Sequence, residues 1–357
     1  MPHDHRPARW RADRPDRPGA ERSGPPGHGH LVSRILVGPV RFETLCPSGY
    51  AQLVAAGHDV VLNPGSTPYE KADLLERVHD IDAAIVGMDD WDAEVIAAAP
   101  SLQILSKLGV GVDNIDLDSA RIRGVDVTNA PGANANAVAE MALALLLAAV
   151  RRIPRQDSTV RAGGWDRFNG FEITGSSIGL IGFGNTSQNL ARRLRGFDVT
   201  LTACDPQADE AAASELGVRL TSLDEVLASS HAVSVHAPHL PSTHHMLSTA
   251  EFAAMRPGSV VVNTSRGGVI DEAALAEALR SGHLAAAGID VWEEEPVSPD
   301  HPLLALDTVV ATCHSAADTR EAYEQVGRVV CAAIVDRLAG RRPDNIRTTD
   351  TTRLTKE

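Results

Sequence analysis

The amino-acid sequence predicts an α/β protein with two doubly wound domains. From Arg34 onward, short β-rich runs alternate with helical stretches, the pattern of parallel sheets covered by helices. The alternation occurs in two series, and a long Ala/Leu-rich helix predicted at about 136–152 separates them. A chain of 357 residues with 43% hydrophobic residues is long enough for two separate cores.

The individual strands follow from short apolar runs bounded by glycine, proline and polar residues. The first series contains the predicted strands 35–37, 58–62, 83–86, 102–106 and 125–128, with helices at 47–56 and 93–98. The second series contains the predicted strands 178–181, 200–203, 232–235, 259–262, 286–289 and 309–311. Short strands with helices between them indicate a mostly parallel sheet in each domain.

The ends of the chain differ from this pattern. Residues 1–33 are rich in Arg, Pro, Gly and His and poor in large aliphatic side chains, so we expect a disordered tail. This tail has neither the apolar stretch of a secretory signal nor the character of a transit peptide. We expect a substrate domain at 34–131 plus 317–345, a nucleotide-binding domain at 132–316, and a flexible C-terminal tail at 346–357.

Composition restricts the partners and the compartment. The 33 Lys and Arg residues against 47 Asp and Glu residues give a net charge of -14, which argues against nucleic acid and membrane partners. An anionic substrate would therefore depend on a few local cations. The four cysteines are widely spaced, which favours a reducing, cytoplasmic setting. The longest apolar run, 141–150, is about half of the ~20 residues that a membrane span needs.

A glycine-rich turn in the second series predicts a dinucleotide site. Gly182 and Gly184 close an apolar strand and precede a helix predicted at 188–195, the context in which a pyrophosphate binds helix N–H groups. Ser187 replaces the third glycine of the usual motif, and we expect slight loosening of the helix packing there. Asp205 ends the next strand, where an acid meets the ribose hydroxyls and disfavours a 2′-phosphate. The alternative is an ordinary loop and a helix cap, but the combination favours NAD over NADP.

Three polar side chains follow later strands of the same predicted sheet. Arg266 has the forked donors that grip a carboxylate, and His314 offers an imidazole, the side chain most often used as a proton donor. Glu295 can hydrogen-bond the imidazole and stabilise its charged form. Because ligands collect at the carboxyl ends of parallel strands, these residues predict hydride-transfer chemistry on a 2-keto acid. The other histidines lack metal-ligand spacing, so we expect no metal site.

These motifs resemble those of the D-isomer-specific 2-hydroxyacid dehydrogenase family, which includes phosphoglycerate dehydrogenase, glyoxylate and hydroxypyruvate reductases and D-lactate dehydrogenase. The resemblance covers about 34–338 and is most specific at 108–116, 129–134, the glycine turn, 263–268 and 290–296. It implies a Rossmann NAD-binding domain, a flavodoxin-like substrate domain, and interconversion of a small 2-keto acid and its D-2-hydroxy acid. A homodimer is also implied by the resemblance alone.

The family's site residues transfer to matching positions of this chain. Arg266, Glu295 and His314 match its catalytic residues. Its cofactor contacts fall on Asn185, Thr186, Ser187, Asp205, His236, Ala237, Pro238, Thr243, Thr264, Ser265, Arg266, Asp290 and His314. The resemblance also implies that Val110 and Gly111 offer backbone N–H groups to the substrate carboxylate. Lys107 stands nearby and would bind a second anionic group, unless it is simply an exposed, solvated lysine.

The chain departs from the family pattern at two positions, and two other functions compete with the one that the resemblance implies. Cys313 stands where the family usually has proline, and we expect a small packing residue there rather than a reactive thiol. Ser315 replaces a small apolar residue or Ile. The rival functions are an NAD-sensing, corepressor-like binding protein on the same scaffold and a relative acting on formate or phosphite. Glu295 disfavours the formate branch, which uses glutamine at this position. The particular keto acid stays open.

Overall fold

A computed structural model describes residues 32–348. Its first sheet and the surrounding helices contain β1 (Arg34–Val40), α1 (Phe42–Leu45), α2 (Pro47–Ala55), β2 (Asp59–Asn63), α3 (Lys71–Arg77), β3 (Ala83–Val86), α4 (Ala93–Ala97), β4 (Ile104–Lys107), α5 (Leu117–Ile122) and β5 (Asp126–Thr128). The predicted tail 1–33 lies outside the described residues except for its last two positions.

The second sheet and the helices around it occupy the rest of the described chain. They are α6 (Ala135–Arg151), α7 (Ile153–Arg161), β6 (Ser177–Ile181), α8 (Asn185–Leu194), β7 (Thr200–Cys204), α9 (Glu210–Leu216), β8 (Val218–Leu220), α10 (Leu223–Ser229), β9 (Ala232–Val235), α11 (Thr249–Ala254), β10 (Ser259–Asn263), α12 (Glu272–Arg280), β11 (Leu284–Ile289), β12 (Val309–Ala311) and α13 (Arg320–Leu338).

Both sheets are parallel and doubly wound, as predicted. The first has the order β2-β1-β3-β4-β5, which is the flavodoxin-like order. The second has the order β12-β11-β10-β9-β6-β7-β8, which is the Rossmann order with one further strand at its edge. Strand β8 was not predicted, because it is only three residues long and only Val218 in it is buried.

The order of the strands places two topological switch points at carboxyl edges. In the first sheet β1 pairs with β2 on one side and β3 on the other, and in the second β6 pairs with β7 and β9. Chains leave such neighbouring strands in opposite directions, so a crevice opens above them that binds ligands. The switch point in the second sheet lies directly at the predicted glycine turn.

Helix α13 returns the chain to the first sheet. It packs against α2 and β4, and the crossing is close: a Cβ built on Gly49 would lie 2.6 Å from the Gly327 carbonyl oxygen. The first residues of the predicted C-terminal tail also lie on this sheet. Ile346 forms an antiparallel bridge with Thr128, and the Arg347 N–H donates to the Val127 carbonyl at 2.7 Å. The rest of that tail lies outside the described residues.

Candidate active site

The glycine turn between β6 and α8 is shaped by close backbone packing. Gly182 has φ +88°, and a Cβ built there would lie 2.9 Å from the backbone nitrogen of Ala237, so only glycine fits. Gly184 is the N-cap of α8, and a Cβ built on it meets no protein atom within 4 Å. The helix begins at Asn185, so the start predicted at residue 188 was wrong. Its first-turn N–H groups lack a side-chain cap, which suits a bound pyrophosphate.

Ser187 ties this helix to the turn. Its side chain is fully buried, and its hydroxyl donates a hydrogen bond to the Gly182 carbonyl oxygen. A glycine at this position would lack that hydrogen bond. Instead of the slight loosening that the missing glycine predicts, the serine connects the first turn of α8 to the end of β6.

Asp205 lies beside the glycine turn at the end of β7. Its Oδ2 accepts a hydrogen bond from the Phe183 N–H at 2.7 Å, and its Oδ1 accepts one from the Gln207 N–H at 2.7 Å. Each oxygen keeps a second lone pair, so the carboxylate can still accept ribose hydroxyls. The two backbone bonds therefore hold the acid at the position that the sequence predicts for it.

The loop after β9 carries the predicted contacts at 236–243. Nε2 of His236 lies 2.9 Å from the Ser234 hydroxyl, and burial lowers the pKa of His236 to about 4, so the imidazole is neutral. The Thr243 hydroxyl accepts from the Leu240 N–H at 2.8 Å and donates to the Pro238 carbonyl at 2.6 Å. Thr243 thus closes the loop from within and fixes the backbone at Pro238.

Thr264, directly after β10, carries a buried hydroxyl that lacks a hydrogen-bond partner within residues 32–348. Such an unpaired group costs roughly 1–3 kcal/mol, which a ligand can offset by supplying the partner. The open space at Gly184, the uncapped start of α8 and this hydroxyl fit a dinucleotide along the carboxyl edge of the second sheet. The residues present therefore suit NAD.

Asn263 shapes the turn that presents Arg266. Its Nδ2 donates to the Arg266 carbonyl at 2.9 Å, and its Oδ1 accepts from the Ser265 N–H at 3.0 Å. Gly267 follows, where any Cβ would collide with the backbone of Trp292. Sequence reasoning did not single out Asn263 or Gly267, although both stand in the quoted segment 263–268.

The guanidinium of Arg266 is held at two of its nitrogens. Nε donates to Asp113 Oδ2 at 2.9 Å, and Nη1 donates to the Ser265 carbonyl at 2.7 Å. Nη2 contacts Gly111, where a side chain would displace the arginine. The N–H groups of Val110 and Gly111 donate to no protein acceptor in the described chain. Arginine and free backbone donors thus converge on one position, as binding of a carboxylate requires.

His314 and Glu295 form the predicted pair. Nδ1 of His314 lies 2.7 Å from Oε2 of Glu295, while Oε1 of Glu295 accepts from the Trp292 N–H at 3.0 Å. With Nδ1–H directed to the carboxylate, Nε2 is the nitrogen left for proton transfer. The structure therefore brings the two residues together in the arrangement that an acid–base pair needs.

Asp290 anchors the turn that carries the histidine. Its carboxylate is fully buried and accepts from the Thr312 hydroxyl at 2.6 Å and from the N–H groups of Ser315 and Ala316 at 3.0 Å each. The His314 N–H also donates to the Asp290 carbonyl at 2.7 Å, and His314 adopts φ 52°. In the structure Asp290 acts on the histidine turn, and its predicted cofactor contact stays a prediction.

Lys107 is not the exposed lysine that one alternative assumed. Only 8% of it is exposed, and its Nζ donates to Asn114 Oδ1 at 2.8 Å and to the Gly87 carbonyl oxygen. Burial lowers its pKa to about 8, an effect that the Asp89 carboxylate opposes and the positive charge of Arg266 reinforces. Lys107 is thus a cation beside Arg266 that loses its charge as the pH rises through about 8.

The expectation for Cys313 was wrong. Its side chain is exposed rather than packed, because the turn that places His314 at the surface of the crevice carries its neighbour outward as well.

No group of three or more His, Cys, Asp or Glu side chains in residues 32–348 is arranged to hold a metal ion. No helix within the same residues is long and apolar enough to cross a membrane.

The fold and the glycine turn define a dinucleotide-binding protein, and comparisons with known proteins specify its family. The model for the NAD binding domain of D-isomer specific 2-hydroxyacid dehydrogenases matches residues 143–316. The chain is 38% identical over 286 residues to a glyoxylate reductase of Korarchaeum cryptofilum, covering 78% of this chain and 86% of that protein. The chain therefore belongs to the D-isomer-specific 2-hydroxyacid dehydrogenase family, and the prediction of NAD as cofactor is confirmed.

Two further relatives show the range of the family. The D-3-phosphoglycerate dehydrogenase of Archaeoglobus fulgidus is 44% identical over 277 residues, 77% of this chain and 53% of that protein. The chain thus spans about half the length of the phosphoglycerate dehydrogenases that it matches. A crystal structure of a putative D-isomer specific 2-hydroxyacid dehydrogenase from Polaromonas superposes with a TM-score of 0.80 at 31% identity, covering 88% of this chain and 99% of that one.

Proposed function

We propose that the protein is an NAD-dependent oxidoreductase that interconverts a small 2-keto acid and its D-2-hydroxy acid. The observation that carries the proposal is the 2.7 Å contact between His314 Nδ1 and Glu295 Oε2. That contact lies at the same sheet edge as Arg266 and the glycine turn. A relative that only binds NAD would not require a carboxylate aligned on the imidazole.

In the direction of reduction, Arg266 and the N–H groups of Val110 and Gly111 bind the substrate carboxylate and polarise the carbonyl. NADH held on the glycine turn would supply the hydride to the carbonyl carbon. His314 donates a proton from Nε2 to the carbonyl oxygen, and Glu295 stabilises the imidazolium beforehand. In the reverse direction the neutral His314 removes the hydroxyl proton.

The substrate class follows from the charges around the site. Arg266 and Lys107 are cations in a chain with a net charge of -14, so an anion is drawn to this crevice rather than to the surface as a whole. Asn114 and the Gly87 carbonyl already accept hydrogen bonds from the Lys107 ammonium. This supports a role in which Lys107 contributes positive charge to the site in general. A small keto acid with one carboxylate is therefore the substrate that this site suits best.

We also propose a homodimer, a cytoplasmic location and a division into two domains. Ile153 and Val160 on α7 and the following Trp165 are 51%, 56% and 80% exposed, and exposed large apolar side chains support a homodimer that covers them. All four cysteines are free thiols, which supports a cytoplasmic location. The packing of α13 on α2 supports a substrate domain of 34–131 plus 317–345, with 132–316 as the NAD-binding domain.

Oxidation of NADH in the presence of a panel of keto acids tests the activity. Glyoxylate, hydroxypyruvate, pyruvate, 3-phosphohydroxypyruvate and phosphonopyruvate vary the group next to the carbonyl while keeping one 2-keto acid core. We expect turnover with at least one, and a product of D configuration by chiral chromatography. Tight NADH binding without turnover of any keto acid would instead favour the NAD-sensing, corepressor-like function.

A further inference from the structure

The ion pair between Arg266 and Asp113 joins two parts of the chain that are far apart in sequence. Asp113 lies on the loop after β4, Arg266 follows β10, and 153 residues separate them. Among the residues described, it is the only side-chain ion pair that connects 34–131 with 132–316. The orientation of the catalytic arginine is therefore set partly by the opposite wall of the crevice.

The pair leaves one part of the guanidinium for substrate. Asp113 takes Nε and the Ser265 carbonyl takes Nη1, so Nη2 remains, in contact with Gly111. We propose that Asp113 is a positioning residue, which holds the Arg266 fork against the 110–111 backbone so that one carboxylate meets Nη2 and the backbone N–H groups together. This inference rests on the proposed function and concerns a residue that binds neither substrate nor cofactor.

The charge of Asp113 by itself works against substrate binding. A carboxylate beside an anion site repels the incoming carboxylate, so any benefit of this residue comes from the geometry it imposes. Stability is a poor alternative explanation, because the side chain of Asp113 is 66% exposed and that of Arg266 34% exposed. Exposed ion pairs contribute about 0–1 kcal/mol to folding. The effect of Asp113 should therefore appear in kinetics rather than in the melting temperature.

Two substitutions of Asp113 distinguish the effect of its hydrogen bond on the geometry of Arg266 from the effect of its negative charge. Asp113→Asn keeps an oxygen that accepts the Nε hydrogen bond but removes the charge, whereas Asp113→Ala removes both. Asp118→Ala is the matched control, because Asp118 is also an exposed aspartate in an ion pair, with Arg121 at 3.3 Å, away from Arg266. Each variant is assayed for NADH oxidation with the keto acid that the wild type reduces best, and for calorimetric binding of oxalate to the NADH complex.

We expect Asp113→Ala to lower kcat/KM by roughly 10–100-fold, since a displacement of about 1 Å at a positioned group has effects of this size. Asp113→Asn should stay within about threefold in kcat with an equal or lower KM, because the acceptor remains and the repulsion is gone. The dissociation constant of NADH should not change in any variant. A wild-type kcat/KM in Asp113→Ala, or equal losses in both variants, would overturn the inference.

Failure of the proposed function has a different signature. If the wild type reduces no keto acid, the function is wrong, and oxalate binding alone then decides the role of Asp113. Weaker oxalate binding in Asp113→Ala with retained binding in Asp113→Asn supports the positioning role. Binding that is equal in the two variants, or not detectable in the wild type, contradicts it.

Discussion

Nδ1 of His314 lies 2.7 Å from Oε2 of Glu295, and backbone bonds hold both residues before any substrate arrives. Glu295 receives the Trp292 N–H, and the His314 N–H donates to the Asp290 carbonyl. The imidazole therefore does not have to be reoriented when a keto acid binds. In the proposed reaction, preorganisation of this kind lowers the barrier because no binding energy is used to align His314.

Substitution of His314, the proposed proton donor, should separate chemistry from cofactor binding. We expect His314→Ala to lower kcat by about 10²- to 10⁴-fold, the usual contribution of a general acid. NADH titrated by its fluorescence should bind with an affinity within about twofold of the wild type, because the pyrophosphate site at α8 is untouched. His79→Ala, at an exposed histidine in the first sheet's region, serves as control. A mutant that keeps full turnover would exclude His314 as the acid.

Asp205 should set the choice between NAD and NADP. The Asp205→Ala variant loses the charge that repels a 2′-phosphate, so the ratio of kcat/KM for NADPH to that for NADH should rise at least about tenfold. Affinity for both cofactors should fall somewhat, because the Phe183 N–H loses its acceptor. Asp209→Ala, at the N-cap of α9, removes a nearby aspartate that does not contact the glycine turn and should leave the ratio unchanged. An unchanged ratio in Asp205→Ala would remove this residue from the ribose site.

Local patterns sufficed to predict the two sheets and the residues at their strand ends. Buried parallel strands are continuous apolar runs, and their carboxyl ends meet at one edge, so Arg266 and His314 were expected together. The strand β8 escaped prediction because its three residues have no such run. Burial of Lys107 and exposure of Cys313 depend on the path of neighbouring loops, which composition does not encode.

Contacts between residues that are far apart in sequence could not be predicted either. Asp113 was quoted only as part of the segment 108–116, since nothing local indicates that it meets Arg266 across 153 residues. Asn263 differs, because an Asn directly after the predicted strand 259–262 and before a Thr-Ser-Arg turn is a recognisable turn-former. The hydrogen bond of Ser187 could not be inferred either, because the motif describes that position by size alone.

The unpaired hydroxyl of Thr264 should have opposite effects on folding and on cofactor binding. Thr264→Val preserves the shape and removes a buried group without a partner, so the free energy of unfolding without NADH should stay equal or rise by about 1 kcal/mol. Affinity for NADH should fall by roughly 3- to 10-fold, because the hydroxyl is available to the cofactor. Denaturant unfolding and NADH titration measure the two effects.

A second buried threonine provides the control for Thr264. The Thr202 hydroxyl, inside β7, also lacks a partner within residues 32–348, but it does not lie at the strand end. Thr202→Val should therefore match Thr264→Val in stability and keep wild-type NADH affinity. Equal NADH affinity in both variants would contradict a cofactor contact at Thr264.

Lys107 should make anion binding depend on pH. Because the pKa of Lys107 is lowered to about 8, the ammonium is charged below that pH and is lost as the pH rises through it. The affinity of the NADH complex for oxalate should fall between about pH 7 and pH 9, by up to roughly tenfold for one charge-assisted contact. Because other groups in the site can also change this measurement with pH, the comparison is made with Lys107→Met. That variant should bind oxalate more weakly at pH 7 and approach the wild type at pH 9. Parallel pH curves for the two proteins would show that the charge of Lys107 does not reach the bound anion.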